Sequence, residues 1–315
     1  MRFSLVLVTY NRSNLLKLAL KSIFEQNHDH LDSIYIIDNC STDDTQSIIN
    51  NFQQEHPAII HNVLLAKNLG GAGGFEIGCR LSYEKGSEWI GLLDDDVMLD
   101  GNCLEQLSIF TRREKCLIAI REDTNGNLAE YGALRANYSN PFRLNPKIST
   151  IVSKYKTRNS LPPCLEIDSA SFEGFFIHRS VIEKIGFPNH EFFIFGDDTD
   201  YSLRIKKNGI KILAIRDAKI IRLLPFIKTP TLNWKQFYRW RNFFILHFLH
   251  GTNTLVRLKP FLIAFIGKII FYNFNQKYDM VQIVKEAKEV AKSIRSKDQF
   301  DQHKILKNIK KHTVI

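Results

Sequence analysis

Short apolar segments alternate with amphipathic segments over the first 93 residues of the chain. The apolar segments predict buried strands and the amphipathic segments predict helices, the first of them with Leu15, Leu18 and Ile23 facing inward. Strands joined by single helices favour right-handed crossovers and a mainly parallel sheet, so the predicted fold class is α/β. The predicted strands are residues 3–8, 33–37, 59–65 and 89–93, and the predicted helices are residues 14–26, 41–55 and 74–85.

Polar side chains follow three of these strands at the point where each strand ends. In a parallel sheet, ligands bind beyond the carboxyl ends of the strands. The shared position of these side chains therefore predicts a single site at that edge. The residues concerned are Thr9 and Asn11, Asp38 and Asn39, and Asp94, Asp95 and Asp96.

The triplet Asp94-Asp95-Asp96 puts three carboxylates side by side at the end of a predicted strand. Because like charges repel, such a group is stable there only where something compensates the charge. Mg²⁺ and Mn²⁺ do so well, since both prefer oxygen ligands and can bridge substrate phosphates. The triplet predicts a divalent-cation site, with a solvated acidic turn as the alternative.

A glycine-rich stretch, residues 68–74, precedes the third predicted helix and could present backbone N–H groups to a phosphate. It lacks the third glycine of the dinucleotide-binding fingerprint, because Glu76 stands at that position. The chain also has no GxxxxGK[ST] loop. A dehydrogenase and a P-loop nucleotidase are therefore disfavoured, and a flexible strand-to-helix turn is the alternative to a phosphate site.

A second acidic cluster, Asp197 and Asp198, opens a predicted helix. The helix dipole favours carboxylates at this end, so capping alone is one interpretation. The other is a base that takes the proton of an incoming hydroxyl group near a metal-bound substrate. Asp200 and Arg204 are four residues apart and are expected to pair along the same helix.

The remaining periodicity outlines the second half of the chain. Residues 123–163 are rich in Gly and Pro, which predicts a hairpin or loop region that shapes a substrate pocket. Regular structure is predicted again at residues 165–178, with a helix near 180–185, a helix from Asp197 and a strand at 211–215. The tail from residue 233 predicts two or three helices.

Basic charge is concentrated in that tail. Residues 222–315 hold 18 Lys and Arg against 5 Asp and Glu, whereas residues 1–221 hold 25 against 28. The apolar run at 260–272 is shorter than the roughly 20 residues that span a bilayer. We expect an interfacial helix on an anionic membrane surface, or else a basic subdomain that packs its aromatic residues inside. Binding of nucleic acid is the weaker interpretation.

Cysteine content and the N-terminus bear on the compartment. The five cysteines form no CxxC pair, which argues for reduced thiols in the cytosol and against a zinc site or a disulfide framework. The apolar run at residues 3–8 is too short for a signal peptide and fits a first strand better. These two features favour a cytoplasmic protein, and the basic tail adds the expectation that it is peripheral at the inner face of the plasma membrane.

Four ordered segments resemble family 2 glycosyltransferases of the GT-A fold, and the resemblance extends over about residues 3–222. A further segment, residues 68–75, resembles bacterial galactofuranosyltransferases more narrowly, and Tyr-Arg-Trp-Arg-Asn at 238–242 recurs in galactofuranosyl- and rhamnosyltransferase relatives. The four segments are residues 5–12 for the opening strand, 38–43 for the nucleotide-binding turn, 93–96 for the DxD metal motif and 196–204 for the acidic catalytic motif.

The resemblance implies a role for each matching residue. Asp94 and Asp96 would hold Mn²⁺ or Mg²⁺, which neutralises the leaving diphosphate. Asp198 would be the general base of one displacement with inversion at the anomeric carbon, and Asp197 is the second candidate for that role. Donor-binding roles fall on Thr9, Asn11, Arg12, Asp38, Asn39, Asn68, Gly70, Gly71, Asp94, Asp95 and Arg222, with Asp38 at the uracil or thymine edge.

Arg222 is a departure from the family pattern, because relatives usually carry a metal-binding histidine at this place. An arginine cannot ligate a metal, yet its planar guanidinium could hold the diphosphate directly. We expect Arg222 to replace part of the metal ligation and to weaken metal affinity or metal dependence.

The resemblance implies an inverting glycosyltransferase that transfers a sugar from a nucleotide-sugar donor to a cell-surface glycan or lipid-linked glycan acceptor. UDP-galactofuranose is the first expected donor and dTDP-rhamnose the second, and a non-catalytic nucleotide-sugar-binding subunit is the rival hypothesis. A GT-A domain is expected at 1–222, with a donor half at 1–100 and an acceptor half at 101–222. Residues 223–315 are expected to form a basic, aromatic-rich helical region for membrane or homo-oligomer contact.

Overall fold

The structure, a computed structural model, describes residues 1–225, 234–270 and 279–296. Its first part alternates strands and helices as predicted, and the bounds of every element agree with the predicted ones to within four residues. The elements are β1 (Phe3–Thr9), α1 (Ser13–Phe24), β2 (Leu31–Asp38), α2 (Thr45–Glu55), β3 (Ile60–Leu64), α3 (Gly70–Glu84) and β4 (Trp89–Asp94).

The second part is less regular. Its Gly- and Pro-rich stretch contains a two-stranded antiparallel sheet, which confirms the predicted hairpin. The last strand continues seven residues beyond the predicted end at Ile215, through an irregularity between Ile215 and Lys219. The elements are β5 (Val97–Leu99), α4 (Cys103–Ser108), β6 (Cys116–Asp123), β7 (Ala133–Ala136), β8 (Lys147–Thr150), α5 (Ile151–Lys154), β9 (Cys164–Ile167), β10 (Phe175–His178), α6 (Arg179–Ile185), α7 (Asp197–Lys207) and β11 (Ile212–Arg222).

Within the part of the chain that the structure describes, nine strands form the central sheet, in the order β3-β2-β1-β4-β10-β6-β11-β5, with β9 also paired to β11. Six of them, β1 to β4, β6 and β11, run parallel, so the predicted α/β class with a mainly parallel sheet is confirmed. β10 runs antiparallel between β4 and β6. Its first residues therefore lie at the same edge as the carboxyl ends of the six parallel strands.

Helices cover the sheet on both faces, and α3 packs closely against β1. A Cβ atom at Gly78 would lie 2.2 Å from Val6 Cγ1, and one at Gly74 would lie 2.5 Å from Val8 Cγ1. Glycine at these two positions thus brings the N-terminal half of α3 against the carboxyl end of β1. That contact sets the position of the glycine-rich turn relative to the sheet edge.

Helix α1 turns a different side to the core from the one predicted. Leu18 is exposed and Leu15 is only partly buried, although Ile23 is buried as expected. Leucines occur around much of this helix, so periodicity alone did not identify its inner face. The buried residues are Leu16, Ala19, Leu20, Ser22 and Ile23.

The tail contains three described helices, α8 (Trp234–His250), α9 (Thr254–Ile270) and α10 (Met280–Ser296). Helix α8 buries Phe244 and Phe248 in a cluster that it shares with α10, Ala72 and Phe192. Helix α9 instead leaves a row of large apolar side chains exposed. Within the described ranges, none of the helices has both the length and the apolar character needed to cross a bilayer.

Candidate active site

A cavity of about 690 Å³ lies at the edge where the parallel strands end, and residues of both acidic clusters line it. The structure thus brings together two groups that are about 100 positions apart in the sequence. Of the predicted site residues, Thr9, Arg12, Asn39, Asn68, Gly70, Gly71, Asp94, Asp95, Asp96, Asp197, Asp198 and Arg222 line this cavity.

Asp38 and Asn11 are the two predicted site residues that do not line the cavity. The Asp38 carboxylate is fully buried and accepts hydrogen bonds from the Ser41 N–H at 2.9 Å and from Gln46 Nε2 at 2.5 Å. Asn11 has a positive φ of 52° and its Oδ1 accepts the Thr42 N–H at 2.7 Å. Both side chains thus order the turns after β1 and β2, and their contact with a donor stays a prediction.

Two asparagines order the glycine-rich turn. The Leu69 N–H donates to Asn39 Oδ1 at 3.1 Å, and the Gly70 N–H donates to Asn68 Oδ1 at 2.7 Å. Gly70 has φ +73°, and a Cβ atom there would lie 2.1 Å from the carbonyl oxygen of Phe193. Only glycine fits that position. The space around a Cβ at Gly71, in contrast, is open.

Asp95 anchors the acidic triplet to the first strand. Its carboxylate accepts hydrogen bonds from Thr9 Oγ1 at 2.8 Å and from Arg12 Nη1 at 2.9 Å. Arg12 Nη1 also lies 3.6 Å from Asp96 Oδ2. Thr9 and Arg12 therefore line the cavity and also fix the carboxylate of Asp95, whose side chain is almost fully buried.

Asp94, Asp96 and Glu173 form a cluster of three carboxylates whose nearest oxygens lie within 4.8 Å of one another. Asp96 Oδ1 is buried and has no hydrogen-bond partner among the described residues. A buried oxygen without a partner is costly unless something binds it. Because Mg²⁺ and Mn²⁺ prefer carboxylate oxygens, these three residues fit either ion.

Three arginines and a further glutamate surround that cluster. Arg121 is buried and pairs with Glu130 at 3.0 Å and with Glu173 at 2.7 Å. Arg222 Nη1 lies 3.2 Å from Glu173 and its Nη2 lies 3.9 Å from Asp96. When all of these groups are ionised, five carboxylates and three guanidinium groups give a formal charge of −2, which one divalent cation neutralises. The eight residues are Asp94, Asp95, Asp96, Glu130, Glu173, Arg12, Arg121 and Arg222.

The pKa values reflect this excess of negative charge. Burial and the neighbouring Glu173 carboxylate raise the pKa of Asp94 well above its ordinary value, and the same two causes raise the pKa of Asp96. Burial alone would raise the pKa of Glu173 as well. The Arg121 and Arg222 guanidinium groups outweigh burial and lower the pKa of that carboxyl group below its ordinary value. The carboxylates of the triplet thus favour the binding of a proton or a cation.

The second acidic cluster begins helix α7 and also lines the cavity. Burial and the adjacent Asp198 raise the pKa of Asp197 to about 8, and burial also raises the pKa of Asp198. Asp198 keeps partial exposure, whereas Asp197 is buried. Asp200 pairs with Arg204 at 2.9 Å, as predicted, and also with His250 at 2.8 Å, so its role is structural.

Sequence reasoning missed Glu173, Arg121 and Glu130. Glu173 reaches the triplet because β10 is antiparallel, and nothing in the local pattern indicates that direction. Its only signal was an acidic residue directly before a glycine and an apolar strand. Arg121 and Glu130 carried no signal, because they become a pair only when β6 and the following turn fold back.

Comparisons with known proteins agree with this architecture. A sequence model described as Glycosyl transferase family 2 matches residues 4–186, which is more than half of the chain. The dTDP-rhamnosyl transferase RfbF of Shigella flexneri is 24% identical over 215 residues, which are 66% of this chain and 69% of that protein. Galactofuranosyltransferase GlfT1 of Mycobacterium tuberculosis (strain ATCC 25618 / H37Rv) is 28% identical over 223 residues, 68% of this chain and 67% of that protein.

Solved structures share the fold at low sequence identity. GalNAc-T7, crystallised with UDP, GalNAc and Mn²⁺, has a TM-score of 0.61 at 14% identity, over 92% of this chain and 54% of that one. Residues 1–349 of S. aureus TarS, in complex with UDP-GlcNAc, have a TM-score of 0.55 at 14% identity, over 91% of this chain and 79% of that one. The predicted GT-A fold is thereby confirmed. The chain belongs to glycosyl transferase family 2 and is a glycosyltransferase.

Proposed function

We propose that this enzyme transfers a sugar, with inversion, from a nucleoside-diphosphate donor to a hydroxyl group of a glycan or lipid-linked glycan. The observation that carries the proposal is the shared cavity. The triplet with Glu173 forms one part of its wall, and Asp197 with Asp198 forms another. The part with the triplet and Glu173 suits the donor diphosphate, and the part with Asp197 and Asp198 suits the acceptor hydroxyl group.

Asp198 is the general base in this mechanism. Its carboxylate accepts the proton of the acceptor hydroxyl group while the oxygen attacks the anomeric carbon and the nucleoside diphosphate departs. Asp197 is less suited to this role, because a carboxyl group whose pKa is about 8 is largely protonated near neutral pH. Partial exposure also leaves Asp198 within reach of an acceptor.

The donor diphosphate lies, in this proposal, between the triplet and Arg222. A divalent cation held by Asp94, Asp96 and Glu173 would supply positive charge against the leaving diphosphate. The guanidinium of Arg222 is fixed beside the same carboxylates and offers paired N–H donors to phosphate oxygens. The proposal thus assigns part of the charge neutralisation to the protein itself.

UDP-galactofuranose is the proposed donor and dTDP-rhamnose is the alternative. Similarity to a galactofuranosyltransferase and to a dTDP-rhamnosyl transferase supports these two, at 28% and 24% identity. The test is a donor screen by thermal shift with Mn²⁺, followed by transfer to a glycan acceptor. Transfer from UDP-galactofuranose alone supports the first donor, and transfer from dTDP-rhamnose alone supports the second. Donor binding without hydrolysis or transfer would instead support a non-catalytic nucleotide-sugar-binding subunit.

We also propose that the enzyme docks on an anionic membrane surface at the cytoplasmic face of the plasma membrane. Helix α9 supports this, because four side chains at 3- and 4-residue spacing are each more than half exposed on one face, and the tail is strongly basic. The four are Leu255, Leu258, Leu262 and Phe265.

Sedimentation with vesicles tests the docking. The protein is expected to bind vesicles that contain phosphatidylglycerol better than neutral ones, and the double variant Leu262→Ser/Phe265→Ser is expected to lose that binding. Ile109→Ser, at an exposed apolar residue far from α9 in the sequence, is the matched control. Unchanged vesicle binding by the double variant would show that this face does not dock on the membrane. If the wild-type protein is a dimer in solution and the double variant is a monomer, the face would be assigned to a second copy of the chain.

A further inference from the structure

The five residues before Asp197, which we call the 192–196 loop, have a strained backbone. Phe193 has φ 61° and ψ −60° and is the centre of a γ-turn, in which the Ile194 N–H donates to the Phe192 carbonyl at 2.7 Å. This form of the γ-turn is rare and strained. Phe195 adds a second positive φ, of 68°. Such a backbone persists only where its surroundings hold it.

Asn242, on helix α8, holds the loop from the side of the tail. Its side chain is almost fully buried, and its Nδ2 lies 2.8 Å from the carbonyl oxygens of Phe192 and Ile194 and 2.7 Å from that of Phe195. Its Oδ1 accepts a hydrogen bond from Arg241 Nε at 3.0 Å, which fixes the orientation of the amide. One amide group thus contacts three carbonyl groups of the strained segment.

Arg241 extends the same contact. Its Nη2 donates to the carbonyl oxygens of Glu191 at 2.6 Å and Phe192 at 3.0 Å. Its Nη1 lies 3.4 Å from the carboxylate of Glu286 on α10. The guanidinium therefore links the start of the loop to both α8 and α10.

The opposite side of the loop contacts the glycine-rich turn. The Ala72 N–H donates to the Phe193 carbonyl at 3.1 Å, and the missing Cβ of Gly70 leaves room for that carbonyl. The loop is therefore enclosed between the first turn of α3 and helix α8. Its last residue, Gly196, leads directly into Asp197 and Asp198.

We propose that Asn242 and Arg241 are positioning residues of this enzyme: they hold the 192–196 loop so that Asp197 and Asp198 face the cavity. The inference rests on the proposed function, in which Asp198 is the base. Displacement of a reacting group by about 1 Å can lower a rate on the order of 100-fold. The basic tail thereby contributes to catalysis without supplying a reacting group.

The direct test is Asn242→Asp, which keeps the shape of the side chain and removes its N–H donors. The kcat for transfer is expected to fall about 100-fold. The KM for the donor and the affinity for UDP are expected to stay within about threefold, a factor worth less than 1 kcal/mol. Asn253→Asp is the matched control, since Asn253 Nδ2 also donates to a backbone carbonyl, that of Ser139, but far from the loop in the sequence. An unchanged kcat, or equal losses of kcat and UDP affinity, would overturn the proposal.

Two further measurements keep the test decisive. If Asn242→Asp does not fold, Arg241→Lys replaces it, because lysine lacks the fork that contacts two carbonyl groups, and a roughly tenfold loss of kcat is expected. Hydrogen exchange at the amides of residues 193–199 needs no activity and is expected to accelerate in either variant and not in Asn253→Asp. Unchanged exchange refutes the positioning role. If exchange is faster in a variant but the wild-type protein itself transfers no sugar, only the proposed function is refuted.

Discussion

Arg222 Nη1 lies 3.2 Å from Glu173 Oε1, so the residue that replaces the expected histidine is paired with a carboxylate that the sequence did not indicate. The pairing puts a permanent positive charge beside Asp96, at 3.9 Å. A cation close to a metal site weakens metal binding by direct repulsion, and that repulsion is worth kilocalories per mole at such distances. The same charge favours a diphosphate.

Metal affinity is the first consequence. Arg222→His removes the fixed charge and adds an imidazole ligand, so we expect at least about tenfold tighter Mn²⁺ binding, or about 1.4 kcal/mol. Titration calorimetry without donor measures this directly. Arg216→Ala is the control, because Arg216 lies on the same strand and pairs with Asp217 at the surface.

Activity after metal removal is the second measurement on Arg222. We expect EDTA-treated protein to keep part of its transfer activity, and Arg222→Ala to lose that part. Complete loss of activity in EDTA-treated wild type, together with full activity of Arg222→Ala, would show that Arg222 replaces no part of the metal ligation.

The glycine-rich turn gives a prediction about stability. Gly70→Ala forces a Cβ onto the Phe193 carbonyl at a positive φ, so we expect the free energy of unfolding to fall by about 2 kcal/mol or more. Gly71→Ala adds a Cβ in open space in the first turn of α3, and we expect a gain of up to about 1 kcal/mol. Urea denaturation compares the two, and equal effects would contradict this account of the turn.

The pKa of Asp197 predicts a pH dependence of stability. A carboxyl group whose pKa is about 8 when folded and near 3.8 when unfolded binds more protons in the folded state between these values. Its contribution to the free energy of unfolding therefore falls as the pH rises from about 4 to about 8. Asp197→Asn removes this effect. The free energy of unfolding of the variant is therefore expected to increase relative to that of the wild type as the pH rises over that range.

Denaturation of both proteins at pH 5, 6.5 and 8 measures the effect. Asp217→Asn is the control with a constant difference, because the hydrogen bond from Arg216 lowers the pKa of Asp217, so this carboxyl group stays ionised in the folded and the unfolded chain across this range. A constant difference between Asp197→Asn and wild type across this range would refute the raised pKa.

The first half of the fold followed from local pattern, because its strands and helices alternate and each one shows its own apolar periodicity in the sequence. The direction of β10 did not, since it is decided by a crossover from distant segments. Glu173 depends on that direction and was missed for this reason. Gly70 was predicted as a phosphate contact, and the structure adds a packing requirement set by Phe193, more than 120 residues away.

The tail shows the same limit. The sequence predicts its helices and its basic charge, and the segment at 238–242 resembles that of galactofuranosyl- and rhamnosyltransferase relatives. Its contact with the 192–196 loop requires the tertiary structure, because Asn242 and Phe195 are 47 residues apart. The contact between the tail and the loop thus depends on packing that no local pattern encodes.

The central claim is that Asp198 removes the proton of the acceptor. Asp198→Asn keeps the size of the side chain and removes its basicity, so kcat is expected to fall by about 10²- to 10⁴-fold while UDP affinity in the presence of Mn²⁺ stays unchanged. Asp200→Asn is the matched control, since Asp200 pairs with Arg204 and His250 and should affect stability first. Steady-state transfer and UDP titration on the same folded preparation decide the matter. Transfer lost with UDP binding intact is the predicted result, and substantial transfer by Asp198→Asn would contradict the account.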